Sequence, residues 1–141
     1  MTTSMNDIIQ IGNSKFWTDN DILYCQFRNK EANYKLETSK IKQYIDAIAK
    51  LCNGKAMPFL IDSRDIRVTY TRETANLLAN SPILSKLRIS EAFVFNSMEI
   101  KLVIASYKRI YEPITPFGVF NNLESAREYC VETKNNFYGS N

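Results

Sequence analysis

Apolar residues recur along the chain with two periods, and the changes of period divide it into strands and helices. Leu23, Cys25 and Phe27 alternate with their neighbours, which predicts a strand over 22–28. Ile8-Ile-Gln-Ile11 and Lys15-Phe-Trp17 form a weaker strand region ahead of it, with Asp19-Asn-Asp21 as the turn between. So short a connection predicts an antiparallel hairpin, because parallel strands need a long crossover. Arg28 to Ala32 is polar and turn-like. From Thr38 the period becomes helical: Ile41, Tyr44, Ile45, Ile48 and Cys52 fall on one face. Thr38 or Ser39 is placed to cap this helix, and Gly54 to end it in a left-handed conformation.

Pro58-Phe-Leu-Ile61 then predicts a short buried strand, with its proline at the tolerated first position. A polar loop follows, and Thr71 caps a short helix through Ala79 with Ala75 and Leu78 inward. Asn80-Ser-Pro82 breaks it, and Ile83 to Leu87 forms another helical turn. Ile89 to Phe95 is a strand with Ala92-Phe-Val-Phe95 at its centre. Ser97 opens a helix through Tyr111, which Pro113 and Pro116 stop. Phe117-Gly-Val-Phe120 is the last strand. Asn122 caps a final helix with Leu123, Ala126, Tyr129 and Cys130 facing in, and the polar tail past Lys134 is expected to fray. The order β-β-α-β-α-β-α-β-α predicts an α/β fold with a mixed sheet of about five strands and about four helices. An N-terminal antiparallel hairpin leads into parallel βα units, in one domain with its core over about 8–134.

With 141 residues, 45% of them hydrophobic and 12% aromatic, the chain can bury one sizeable core. Eighteen basic against 15 acidic residues give a net charge of +3 with no dense Lys/Arg run, so nucleic acid is not an expected partner. The first residues lack a charged segment followed by an apolar block, and no run approaches the roughly 18 apolar residues of a membrane span. A cytoplasmic location and no transmembrane segment are therefore expected. Histidine is absent, which removes Ser-His-Asp and Cys-His mechanisms, histidine metal sites and a histidine base. Cys25, Cys52 and Cys130 form no CxxC pair and read as small core hydrophobes. None of the four glycines stands in a phosphate-cradling loop. The expectation is a non-enzymatic protein without a cofactor, carboxylate-dependent chemistry being the residual route to an activity.

Three strands end on polar residues that lead to helices: Asp62 after Ile61, Asn96-Ser97 after Phe95, and Asn121-Asn122 after Phe120. In a parallel arrangement these ends share one edge of the sheet, the usual place for function in α/β folds. Ser63, Arg64, Arg67, Thr71 and Arg72 lie in or beside the first loop, and with Asp62 and Ser97 they make a candidate anion- or partner-binding surface. Helix capping explains the hydroxyl and amide residues equally well. Asp62 and Asp65 have a metal-loop spacing, but no third carboxylate follows and Arg64 and Arg67 oppose a cation, so no metal site is expected. The helix from Ser97 carries more apolar residues than one stripe requires. Leu102, Ile104, Tyr107 and Tyr111 are candidates for deep burial, for an apolar ligand, or for an interface such as a homodimer.

Pro58-Phe-Leu-Ile-Asp62, Ala92-Phe-Val-Phe95 followed by Ser97 and a long helix, and Pro116-Phe-Gly-Val-Phe-Asn-Asn-Leu-Glu-Ser-Ala126 occur in an order that resembles the STAS superfamily. The closer resemblance is to its divergent SpoIIAA-like (STAS/SEC14-type) small bacterial proteins, and it covers most of residues 20–134. It implies a regulatory or protein-interaction module related to anti-sigma-factor-antagonist signalling, with a kinase or sigma-factor regulator as the kind of partner. In such antagonists the strand ending in Asp leads to an Asp-Ser-Ser-Gly helix start whose serine is phosphorylated. Here that position falls near Tyr70-Thr71-Arg72-Glu73, the motif is absent, and Thr71 is the nearest hydroxyl. The alternative implied by the same resemblance is a protein that holds a small-molecule or lipid-like ligand beneath its helices.

Overall fold

Ile9–Ile11 (β1) and Ser14–Asp19 (β2) pair antiparallel across a two-residue turn, and Gly12 takes the positive φ that this turn requires. Asn20 and Asp21, also at positive φ, turn β2 back into Ile22–Gln26 (β3). The weak strand region is thus two strands, and the antiparallel end of the sheet has three. The computed structural model describes residues 7–28 and 34–139, apart from the side chains of Tyr34 and Val68. The turn expected over 28–32 lies, past Arg28, outside the described residues.

A short strand, Tyr34–Lys35 (β4), leads into the helix Thr38–Cys52 (α1). Its N-cap is Glu37, without a side-chain capping bond; Thr38 is already helical. Asn53 and Gly54 both adopt left-handed backbone at the other end. Met57–Asp62 (β5) lies parallel to β3. The loop that follows contains Val68–Thr69 (β6), which pairs parallel with β4 in a small second sheet that the polar sequence did not disclose. Arg72–Ala79 (α2) and Pro82–Leu87 (α3) are separate helices, because Ser81 caps α3 through Leu84 N–H and Pro82 presets its first turn. Arg88–Val94 (β7) lies parallel to β5, Met98–Ile110 (α4) crosses over, and Phe117–Phe120 (β8) lies parallel to β7. Leu123–Tyr138 (α5) ends the described chain. The main sheet has six strands in the order β1-β2-β3-β5-β7-β8, and five helices occur among the described residues.

The last helix runs past Lys134, where fraying was expected. Lys134 Nζ donates to the Asn20 carbonyl, the Tyr138 hydroxyl donates to the Ala56 carbonyl, and Gly139 caps the end at φ 68°. These bonds tie a polar helix end to the sheet and replace the apolar contacts that the tail lacks.

The helices divide unequally between the two faces of the sheet. Ala126 and Cys130 of α5 pack on Ile22, Leu60, Ala92 and Val94 on one face. On the other, α1 and α3 cover Phe16, Leu23, Cys25 and Phe59, each buried side chain contributing ~1.5–3 kcal/mol. Ile100 and Ile104 of α4 rest on Phe93 at the far side of the same face, and α4 is set further from the sheet than α1 or α5. No described helix is long and apolar enough to cross a membrane.

Candidate ligand-binding cavity

Ile61 is the one residue of β5 that is only partly buried, although β5 is a central strand with neighbours on both sides. It faces a gap between α1 and α2 on one side and α4 on the other. The gap is a cavity of about 450 Å³, open at one side and lined mainly by apolar groups, among them Phe16, Phe27, Phe59, Ile61, Phe93 and Ile104. That volume falls within the ~300–1,000 Å³ usual for small-molecule sites. Cys25 also lines it. Burial pushes this thiol far above its ordinary range, so it is a packed neutral group and no nucleophile.

Four charged residues line the cavity, Arg28, Lys40, Arg88 and Glu91, and the last two stand together at its inner wall. Both project from the same face of β7 because the register with β5 shifts there: Met57 pairs with Arg88 and Phe59 with Glu91. Between these pairs Pro58 alone opposes both Ile89 and Ser90, and the bulge brings two side chains three positions apart to one face. Lys108, only 2% exposed, descends from the same stripe of α4 as Ile100 and Ile104. Its Nζ donates to Glu91 Oε1 at 2.6 Å, to Glu112 Oε1 and to the Thr115 carbonyl at 3.1 Å. Arg88 Nη2 lies 3.5 Å from Glu112 Oε2, and Arg88 Nη1 3.9 Å from Glu91 Oε2. Burial alone would raise the Glu112 carboxyl, but hydrogen bonds from Lys108 and Thr115 outweigh it and hold the group below its ordinary value. The four charges balance, and they join β7, α4 and the segment after α4 in one buried cluster. Arg88 Nε is buried with no hydrogen-bond partner, alone in that among the described residues.

The loop after β5 forms a side wall of the cavity through Ile66 and Tyr70. Asp62, at its start, is buried and accepts from Arg28 Nη2 at 2.9 Å, Arg64 Nε at 2.9 Å, Arg64 Nη2 at 2.8 Å and Arg64 N at 3.2 Å. Burial would raise its carboxyl, yet the bonds from Arg64 and Arg28 prevail and lower it. With both oxygens so engaged, Asp62 serves as an internal tie. Ser63 donates its N–H to the Val94 carbonyl and lines the cavity. Asp65 exchanges two bonds with the Asn96 side chain, joining the loops after β5 and β7. Tyr70 meets Tyr107 and Tyr111 of the α4 region edge-on, with ring centroids 6.1 and 6.0 Å apart.

The candidate residues thus fall into three groups. Asp62, Ser63 and Arg64 come together, and Arg28 joins them. Thr71, Arg72, Arg67 and Ser97 do not form an anion site with them. Thr71 Oγ1 accepts from Thr74 N–H and closes a reciprocal capping box, while Ser97 Oγ accepts from Ile100 N–H. Arg67 turns to Glu99, an exposed pair at 3.5 Å, and Arg72 is exposed on α2. Of the apolar set, Ile104 and Tyr107 line the cavity, Tyr111 stacks beside Tyr107, and Leu102 is 63% exposed. Deep burial of α4 is therefore corrected: its inner stripe alone is buried, because α4 has the sheet on one side only. The sequence reading missed Arg88, Glu91, Lys108 and Glu112. Its available signal was a glutamate inside a strand that is mainly apolar, and a lysine at the helical spacing of Ile100 and Ile104, four residues before a second glutamate.

Replacing Lys108 by Met should destabilise the protein by ~3–5 kcal/mol, since it leaves two buried carboxylates without their ammonium. Replacing Arg67 by Ala, at the exposed pair with Glu99, should cost under about 1 kcal/mol. Urea denaturation of both variants checks the contrast, and equal small losses would contradict a buried role for Lys108. Acid gives a second test. Because the folded Asp62 carboxyl lies below its ordinary 3.8, its contribution is complete above that value and is lost as pH falls through the lower, folded value. The urea midpoint should therefore drop more steeply in acid for the wild type than for Asp62→Asn, which should start ~2 kcal/mol less stable at neutral pH.

The profile of the family described as Domain of unknown function (DUF7793) matches residues 16–134. No curated protein matches the chain. Among solved structures, the crystal structure of an uncharacterized protein from the DUF3478 family with a SpoIIAA-like fold, from Shewanella loihica PV-4, is similar at a TM-score of 0.55. The likeness covers 92% of this chain and 98% of that one at 15% identity, which makes it a likeness of fold. The antiparallel strands followed by parallel βα units are thus a SpoIIAA-like fold, and the chain belongs to the DUF7793 family.

Proposed function

We propose that this chain is a non-enzymatic binding protein for a small apolar or amphipathic molecule, held between the sheet and the helices that face it. The observation that carries this reading is Ile61, an apolar side chain on a central strand that looks into an apolar cavity of about 450 Å³. Interiors are ordinarily close-packed. A cavity of that size, open at one side, leaves apolar wall in contact with water that an apolar ligand would cover. Water is a poor filler for walls this apolar. The Thr71 hydroxyl, engaged in a capping box, offers less support for a phosphorylation switch.

A second reading, a regulatory module acting through a protein partner, is favoured by the outer side of α4. Met98, Leu102 and Ile110 are more than half exposed there. The partner that this reading tests first is a second copy of the chain.

Delipidated protein should bind the neutral fluorophore N-phenylnaphthylamine saturably and one to one. Ile61→Trp should fill the cavity, weaken that binding at least ~10-fold and keep or raise the melting temperature. Unaltered binding by a folded Ile61→Trp would contradict the cavity as the site. Light scattering on a size-exclusion column decides the second reading: a wild-type dimer that becomes a folded monomer in Leu102→Lys supports it, and a wild-type monomer at all concentrations counts against it.

A further inference from the structure

Arg88 Nε is the unexplained polar atom of this interior. The residue is 8% exposed, it lines the inner wall of the cavity, and its Nε–H has no acceptor among the described residues. A buried donor left unmade costs free energy, so such atoms ordinarily have partners. Everything else in the cluster is engaged: Lys108 serves both glutamates and a carbonyl, and Glu112 accepts from Lys108, Thr115 and Arg88. An acceptor that enters from the cavity Arg88 lines would complete it.

The charges on that wall say what kind of acceptor it is. Arg88 and Lys108 are balanced by Glu91 and Glu112, all four at least nine-tenths buried. An anion brought to Arg88 would leave one uncompensated negative charge in a low-dielectric site, with Glu91 as its neighbour on the same wall. A neutral oxygen completes the hydrogen bond and leaves the balance intact. Tyr107 lines the same cavity, and its phenol is held neutral by burial first and then by Glu91. It adds no charge.

We propose that the cavity takes a neutral amphipath, an apolar chain or ring bearing an amide, ester, ketone or hydroxyl oxygen, and that this oxygen accepts from Arg88 Nε. The proposal rests on the cavity being a ligand site and adds the chemistry of its inner end. Selectivity then runs against the fatty carboxylate of the same length and against the plain hydrocarbon. The hydrocarbon fits the walls but leaves Nε unpaired; the carboxylate pairs Nε but unbalances the cluster.

The test is competition against bound N-phenylnaphthylamine at neutral pH with palmitamide, palmitate and hexadecane, on the delipidated full chain. Palmitamide should compete about 10- to 100-fold better than hexadecane and clearly better than palmitate. In Arg88→Lys, which keeps the charge and removes Nε, amide and hydrocarbon should compete within about threefold of each other. Should that variant fail to fold, the Arg88 Nε–H resonance of the wild-type protein decides: it should shift with palmitamide and stay in place with hexadecane. Equal competition by all three, a preference for palmitate, or an Nε–H signal that ignores palmitamide would overturn the proposal while leaving the cavity as a ligand site. Failure of every apolar molecule to bind would overturn the cavity reading itself.

Discussion

The contact between Lys108 and Glu91 is the buried tie that fixes how α4 meets the sheet at the inner wall of the cavity. A long cationic side chain from α4 meets a carboxylate on β7, and both are buried. Apolar residues at those two positions would draw helix and sheet together until their surfaces met. The ionic pair instead fixes α4 at the reach of a lysine, and Glu112, Thr115 and Arg88 complete its hydrogen bonds so that the charges can stay inside. Ile100 and Ile104 touch Phe93, and α4 comes no closer. The cavity above Ile61 lies beside this contact, with Glu91 in its lining.

The loop after β5 has a part in this arrangement that its polar sequence disguises. Its arginines and acidic residues look outward-facing and ready for a partner, yet most of them bind the loop to the protein. Asp62 gathers Arg28 and Arg64, Asp65 holds Asn96, and Tyr70 leans on Tyr107 and Tyr111. Pairing of β4 with β6 adds a backbone tie. The result is a wall that carries Ile66 and Tyr70 to the cavity. It is held largely by polar contacts at its rim, the kind of attachment that opens at lower cost than a packed core.

Local physics made much of this fold legible beforehand. Thr71, Ser97 and Asn122 stand at helix starts because an N-cap needs only its own side chain and the next three residues. Ala126 and Cys130 face the sheet as helical period demands. What escaped prediction is non-local. Arg28 and Asp62 are 34 positions apart, and Glu91 and Lys108 are 17 apart. A bulge, invisible to simple alternation, is what places Arg88 beside Glu91. The division of Ile9–Asp19 into two strands depends on a Gly12 turn at positive φ, which the sequence permits without requiring. A cavity has no sequence signal of its own, since the residues around it are those of an ordinary core.

A buried ion cluster is weak support for stability, because apolar residues of the same volume are often as stable or more so. Its placement here has to be explained by something other than folding energy. A packed apolar contact between α4 and β7 would close the cavity and remove Arg88 from its wall. The cluster is itself charge-balanced and gives the cavity a polar inner wall. A polar inner wall in a mainly apolar cavity is the pattern that would orient the amphipath proposed above. A glutamate in a buried strand and a lysine on the inner stripe of a helix would be liabilities in a domain that had only to fold. Under the ligand-binding function proposed above, the same pair has a use, since it joins α4 to β7 through long polar side chains beside the cavity.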